Sequence, residues 1–203
     1  MAQRFEMERL VRLEKAAIES GDPRMAIEAV GPEFHNREAA REPAPCRQRG
    51  PAGLMATSAW LRAAFSDLHY HERELLVDGD RVIWWGSMSG RHDGPFVVVD
   101  GERALVFPAT GAQFEVEQVH LHRFEDGRMV EHRAVRDDLG LMRSLGYLPP
   151  TPAGMRRMVA SQLTGAAGRS ARTVTDAAAR AAEGVTHLLS PQPRLVDPQR
   201  VRM

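Results

Sequence analysis

An α+β fold is predicted by three observations. Apolar residues recur at helical spacing through the first 65 residues, alternating runs broken by small acidic and glycine turns follow to residue 137, and the composition beyond Pro149 shifts to Ala, Arg, Thr and Ser. Helices first and hairpin-linked strands afterwards imply helices covering one face of a curved antiparallel sheet, not a parallel sheet wound with helices. The expected organisation is one domain over residues 1–150 and an extension over 151–203, partly helical and partly flexible.

From Glu6 to Ser20, Met7, Leu10, Val11, Ala17 and Ile18 form a helical stripe, and Gly21 stops it. Asp22 and Pro23 open a second, shorter helix that Gly31 closes. Three prolines and a high charge density between Glu33 and Pro51 predict an irregular connection. Helical spacing resumes from Gly53 to Phe65 through Leu54, Leu61 and Phe65, so three helices are expected before any strand. Leu68–Val77 and Arg81–Ser89 flank Asp78-Gly79-Asp80 as a hairpin, and Val97–Val99 and Arg103–Phe107 flank Asp100-Gly101-Glu102 as another. Between them Gly90–Phe96 reads as a polar bend. In the extension, Met155, Met158, Val159 and Leu163 form a stripe expected to dock, whereas Ser170–Glu183 is expected to bury too little to dock, and the last stretch, SPQPRLVDPQRVRM, reads as loose.

The stretch His120–Gly140 carries most of the functional information. Gln118, His120, His122 and Phe124 alternate onto one strand face and Val119, Leu121 and Arg123 onto the other; Glu125-Asp126-Gly127 is the turn. Without a bulge, Met129, Glu131, Arg133, Val135 and Asp137 then share a face, and His132 points the other way. A sheet face bearing histidines and ending in a carboxylate needs partners or a cavity, so it is read as the wall of a pocket.

Composition narrows the classes. Lys plus Arg and Asp plus Glu are 27 each, so no net field draws the chain to nucleic acid or to an anionic membrane. Cys46 is the only cysteine, which excludes an intrachain disulfide and a cysteine metal site. No apolar run approaches the ~20 residues of a spanning helix and no signal-peptide core is present. The expected setting is cytoplasmic and the expected partners are a small-molecule substrate and further copies of the chain, as a homodimer or higher homo-oligomer held through the face carrying Val119 and Leu121.

Several pieces in order resemble one family: Phe65-x-Asp67-Leu68, the bend Gly90-x-His92-x-Gly94-x-Phe96, Pro108-x-Thr110-Gly111, and the pattern His120, Arg123, Phe124, Asp126, Gly127, Glu131, His132, followed by Asp137 and Leu145-Gly146. Residues from about Glu6 to Pro149 resemble the SnoaL-like polyketide cyclases, in the superfamily of nuclear transport factor 2 and ketosteroid isomerase. The resemblance implies a cone-like α+β barrel around a deep cavity and cofactor-free intramolecular aldol closure of a polyketide ester. It departs from the family at Arg133, where Trp is usual, and at Val97–Phe107, which looks like an added hairpin.

On that resemblance Asp137 matches the acid/base carboxylate, with helix capping as the plain alternative and Asp138 as the expected cap. His120 is the candidate oxyanion partner. His92, His122, His35, Asn36, Trp85, Phe96 and Arg133 are candidate substrate contacts; Trp60 and Phe65 are read as core. A metal held by His120, His122, His132, Glu131 and Asp137 is disfavoured because the family needs none and His132 has the wrong parity. The rival classes are a non-catalytic pocket protein, and an isomerase or hydrolase using the same cavity.

Overall fold

Two helices open the chain in the computed structural model, which describes residues 2–190. Helix α1 (Ala2–Ser20) buries its expected stripe, and the same face carries Glu14 and Lys15 into the interior. Asp22 caps α2 (Pro23–Ala29) by accepting the Arg24 N–H.

The next element corrects the expectation. Val30–Asn36 is a strand, β1, and not a helix end followed by an irregular connection. Its Gly31 and Pro32 read as breakers, yet β1 is an edge strand that pairs on one side only, where a missing proline N–H is tolerated. Two short 3-10 turns, Arg37–Arg41 and Ala44–Arg47, lead to α3 (Gly50–Ala64).

The strands are β2 (Phe65–Asp78), β3 (Arg81–His92), β4 (Phe96–Asp100), β5 (Arg103–Phe107), β6 (Gln113–Glu125) and β7 (Arg128–Arg136). Five form a sheet in the order β1-β7-β6-β3-β2, and β4 with β5 forms a separate hairpin. The sheet is mixed, because β1 runs parallel to β7 while the other pairs are antiparallel. Bulges in β2 curve it, and at Gly86 a Cβ would sit 2.1 Å from the His71 carbonyl oxygen, so the bend needs glycine there. Along β6 every second residue from Phe114 to Phe124 is buried, as the alternation predicts. Trp60 Nε1 donates to the Val97 carbonyl at 2.7 Å and ties the hairpin to α3.

One irregularity decides the site. Arg123 pairs with Glu131 but Phe124 pairs with Met129, so Val130 is an extra residue in β7. Beyond it the parity flips: Met129 and His132 are both buried, and Arg133 is exposed.

After α4 (Asp138–Ser144), the extension also reverses expectation. In α5 (Pro152–Leu163) Met155, Val159 and Leu163 are exposed, the last at 84%. Helix α6 (Ala166–Leu189) packs along α3, with Ala167, Val174, Ala178, Ala182 and Val185 buried and Ala171 and Ala181 partly so. Spacings of three and four residues make this a continuous seam, and small side chains suffice where helix axes approach closely. Residues 191–203, where the loose tail was expected, lie outside the described part.

Candidate active site

A cavity of about 230 Å³ lies between the helices and the concave sheet face. Its walls are mainly apolar: Ile18, Leu54 and Trp60 from the helices, Phe65 at the start of β2, Met88 and Val116 from the sheet, and Phe96, Val98, Leu105 and Phe107 from the hairpin. The hairpin that the sequence showed as an addition is thus a wall of the cavity. Polar groups gather at one pole, where Asn36, Gln118, His120, His132, Arg136 and Asp137 line the space.

The pole is a closed hydrogen-bond chain. His120 Nε2 lies 2.8 Å from Gln118 Oε1, His120 Nδ1 lies 2.8 Å from His132 Nε2, and His132 Nδ1 lies 2.9 Å from Asn36 Oδ1. Asn36 Oδ1 also accepts the Glu38 N–H at 3.1 Å, so its oxygen is the atom facing the ring. Behind His120, Lys15 Nζ stands 2.9 Å from Nδ1, 3.0 Å from Glu14 Oε2, and over the Tyr70 and Trp84 rings. Burial pushes His120 and His132 well below the ordinary histidine range, and the Lys15 charge pushes the same way. Burial alone would raise the Glu14 carboxyl, but Lys15 and His122 outweigh it and hold it low. Burial lowers Lys15 in turn, against the pull of Glu14.

His120, His122 and His132 bring ring nitrogens within 4.8 Å of one another, a grouping that the parity argument disfavoured. The Val130 bulge removes that argument. The cation among these rings is nevertheless the chain's own Lys15 ammonium, at hydrogen-bond distance from the nitrogen a metal would need.

The candidate residues separate into three groups. Asp137, His120, Asn36 and Phe96 line the cavity. His122 is fully buried behind it, 3.6 Å from Glu14 Oε2, and His92 is fully buried in the bend, with Nδ1 3.1 Å from Thr110 Oγ1 and its backbone tied to Ala112, Thr110 and Gly111. His35, Trp85 and Arg133 do not line it: Trp85 is on the convex face with its Nε1 donating to Glu117, and Arg133 pairs with Glu131 outside. Asp137, not Asp138, caps α4, its Oδ1 accepting the Gly140 N–H at 2.7 Å, and it is exposed at the cavity rim.

Sequence reasoning missed Glu14, Lys15, Glu42, His132 and Arg136. Glu14 stood within the Leu10, Val11, Ala17, Ile18 stripe, which was a readable signal. Glu42 is a fully buried carboxyl lining the cavity; burial raises it, against the 2.6 Å hydrogen bond from Thr57.

A curved mixed sheet closed by helices around a deep cavity with one polar pole defines an α+β cone protein built to enclose a small molecule. The family model of the SnoaL-like polyketide cyclases matches residues 8–145, and the chain belongs to that family. It is 40% identical over 109 residues to the aklanonic acid methyl ester cyclase DnrD of Streptomyces peucetius, covering 53% of this chain and 70% of that protein. The nogalonic acid methyl ester cyclase of Streptomyces nogalater is 33% identical over 108 residues, covering 53% and 75%. Among solved structures, TsrD from Streptomyces laurentii superposes with a TM-score of 0.58 at 31% identity, over 70% of this chain and 96% of that one.

Proposed function

We propose that the protein closes a ring in a polyketide methyl ester by intramolecular aldol addition, without a cofactor. The observation that carries this reading is the gathering of Asn36, Gln118, His120 and His132 at one pole of a mainly apolar cavity, in a chain similar to two methyl ester cyclases. The substrate's flat apolar body fits the walls, and the reacting carbonyls meet the pole. A proton leaves the carbon flanked by carbonyls, the electron pair passes to an enolate, the enolate carbon attacks a ketone of the same molecule, and the new alkoxide takes the proton back. Asp137 at the rim moves that proton, its second oxygen being free of the Gly140 contact. Gln118 turns its oxygen to His120, and among the described residues its NH₂ meets the Met88 sulfur alone, at 3.7 Å. That NH₂ and the Asn36 NH₂ are the donors for the enolate oxygen, and His120 acts by holding Gln118 in place.

A second reading, a ligand-binding protein without turnover, is favoured by one observation: Asp137 is exposed and already caps α4. Purified protein supplied with aklanonic acid methyl ester separates the two. Ring closure above the uncatalysed rate is expected; saturable binding with no acceleration establishes the second reading.

A further inference from the structure

The hydrogen-bond chain at the pole contains a count that does not close with two neutral rings. Lys15 is an ammonium beside Glu14 and can only donate, so His120 Nδ1 is an acceptor and its proton sits on Nε2, facing Gln118 Oε1. Asn36 Oδ1 already takes the Glu38 N–H, so it accepts from His132 Nδ1 as well. Two acceptor nitrogens then face each other across the 2.8 Å between His120 Nδ1 and His132 Nε2. A contact that short needs a hydrogen between the atoms.

We propose that His120 and His132 work as one proton-accepting pair that takes up a single proton when a negative charge enters the cavity. The 2.8 Å separation is one that a single shared proton would bridge. The proposal rests on the enolate chemistry proposed above for its biological meaning, but on the hydrogen-bond count for its existence.

The surroundings explain why the pair loads only with an anion. Lys15 from α1 and Arg136 from β7 oppose a further positive charge, and burial opposes it more; Glu14 from α1 already balances Lys15. Tyr70 from β2 is held in its neutral form by burial, and His122 from β6 is lowered by burial despite the Glu14 carboxylate. Gln118 and Asn36 carry no charge. Glu38 pairs with Arg136 at 3.8 Å and burial raises the Glu42 carboxyl, so an anion entering the cavity shifts this balance toward proton uptake. Proton uptake then leaves the filled cavity with no added net charge, which matters where the dielectric is low. His132 is a positioning residue in this scheme, since all its nitrogens face other side chains.

The test uses naphthalene-2-sulfonate, an aromatic anion whose own charge is constant over the working pH range, with 2-methylnaphthalene as the neutral control. Calorimetry at pH 7.5 in buffers of different ionisation enthalpy is expected to show about one proton taken up per sulfonate and none for the control. Affinity for the sulfonate should then fall by about tenfold per pH unit. His132→Gln should abolish the uptake. Should that variant fail to fold, histidine ring ¹⁵N shifts of the unaltered protein decide: His120 and His132 must move together toward the imidazolium form when sulfonate binds. No binding, binding without uptake, or uptake located on His122 or His92 overturns the proposal. None of these readouts requires turnover, so failure of the cyclase reading is separately visible.

Discussion

The pole and the rim of the cavity are built in opposite ways. At the pole, His120, His132, Gln118 and Asn36 are buried and their ring nitrogens and amide oxygens are committed to one another. At the rim, Asp137 and Asp138 are exposed, and the Asp137 carboxylate accepts the Gly140 N–H that it caps. A buried network whose ring nitrogens face one another and neighbouring side chains fixes geometry but leaves no ring nitrogen free to meet a substrate proton directly. A solvent-facing carboxylate on a helix end exchanges protons readily but fixes little. On the cyclase reading proposed above, the pole would supply orientation and charge balance and the rim proton transfer.

The largest expected effect tests that division directly. Asp137→Asn keeps the cap and the shape and loses the titratable proton, so ring closure should slow by roughly 10² to 10⁴-fold with the melting temperature little changed. His120→Ala should slow it by roughly 10² to 10³-fold, because Gln118 loses the bond that aims its NH₂. Steady-state rates of the two variants are the measurement. Unchanged turnover in a folded Asp137→Asn protein would move proton transfer from the rim to the pole.

Lys15→Met probes the pole alone. Removing one partner of a buried pair leaves Glu14 without its counter-charge, and a loss of roughly 3 to 5 kcal/mol in urea unfolding is expected. The double variant with Glu14→Gln should recover much of it. A loss below about 1 kcal/mol for the single variant would show the pole to be looser than its distances imply.

Acid should expose the same contrast. His120 and His132 have folded-state affinities for protons below their unfolded ones, so below pH about 6.5 the unfolded chain binds more protons and stability falls, by up to ~1.4 kcal/mol per pH unit for each ring. Glu14 acts in the same direction at lower pH: its carboxyl is lowered in the fold, so its contribution is present above the ordinary carboxylate range and lost as pH falls through it. Urea titrations at stepped pH measure both. Stability flat between pH 7 and 5 would mean that these rings carry protons in the fold.

Much of this architecture was readable from residues, and the failures have physical causes. Period-two alternation in β6 set out Gln118, His120 and His122 correctly because strands with one buried face fix their register. The Val130 bulge left no mark in the sequence, since an Asp-Gly turn is compatible with several registers, and so His132 was sent outward and Arg133 inward. Strand β1 was lost because Gly31 and Pro32 weigh against a strand only when both its sides are paired. The seam of α6 was lost because burial was reckoned by side-chain size, whereas Ala167, Val174, Ala178 and Val185 gain theirs from the closeness of α3.

The smallest effect is expected at Arg133, where sequence reasoning saw a departure that bore on the cavity. The bulge places this side chain outside, paired with Glu131, which Arg37 also holds at 2.7 Å. Arg133→Trp should therefore leave turnover and sulfonate affinity unchanged within about twofold and shift stability by no more than about 0.5 kcal/mol, as for most exposed substitutions. It adds an aromatic ring to a convex face that already exposes Ile83, Trp85, Val119 and Val135, the last at 77%. A second copy is the expected cover for that face, so sedimentation of the unaltered protein should show a dimer at micromolar concentration and Arg133→Trp should tighten it. A large change in turnover from Arg133→Trp would show that β7 also uses its outer face, and the division between pole and rim would then be incomplete.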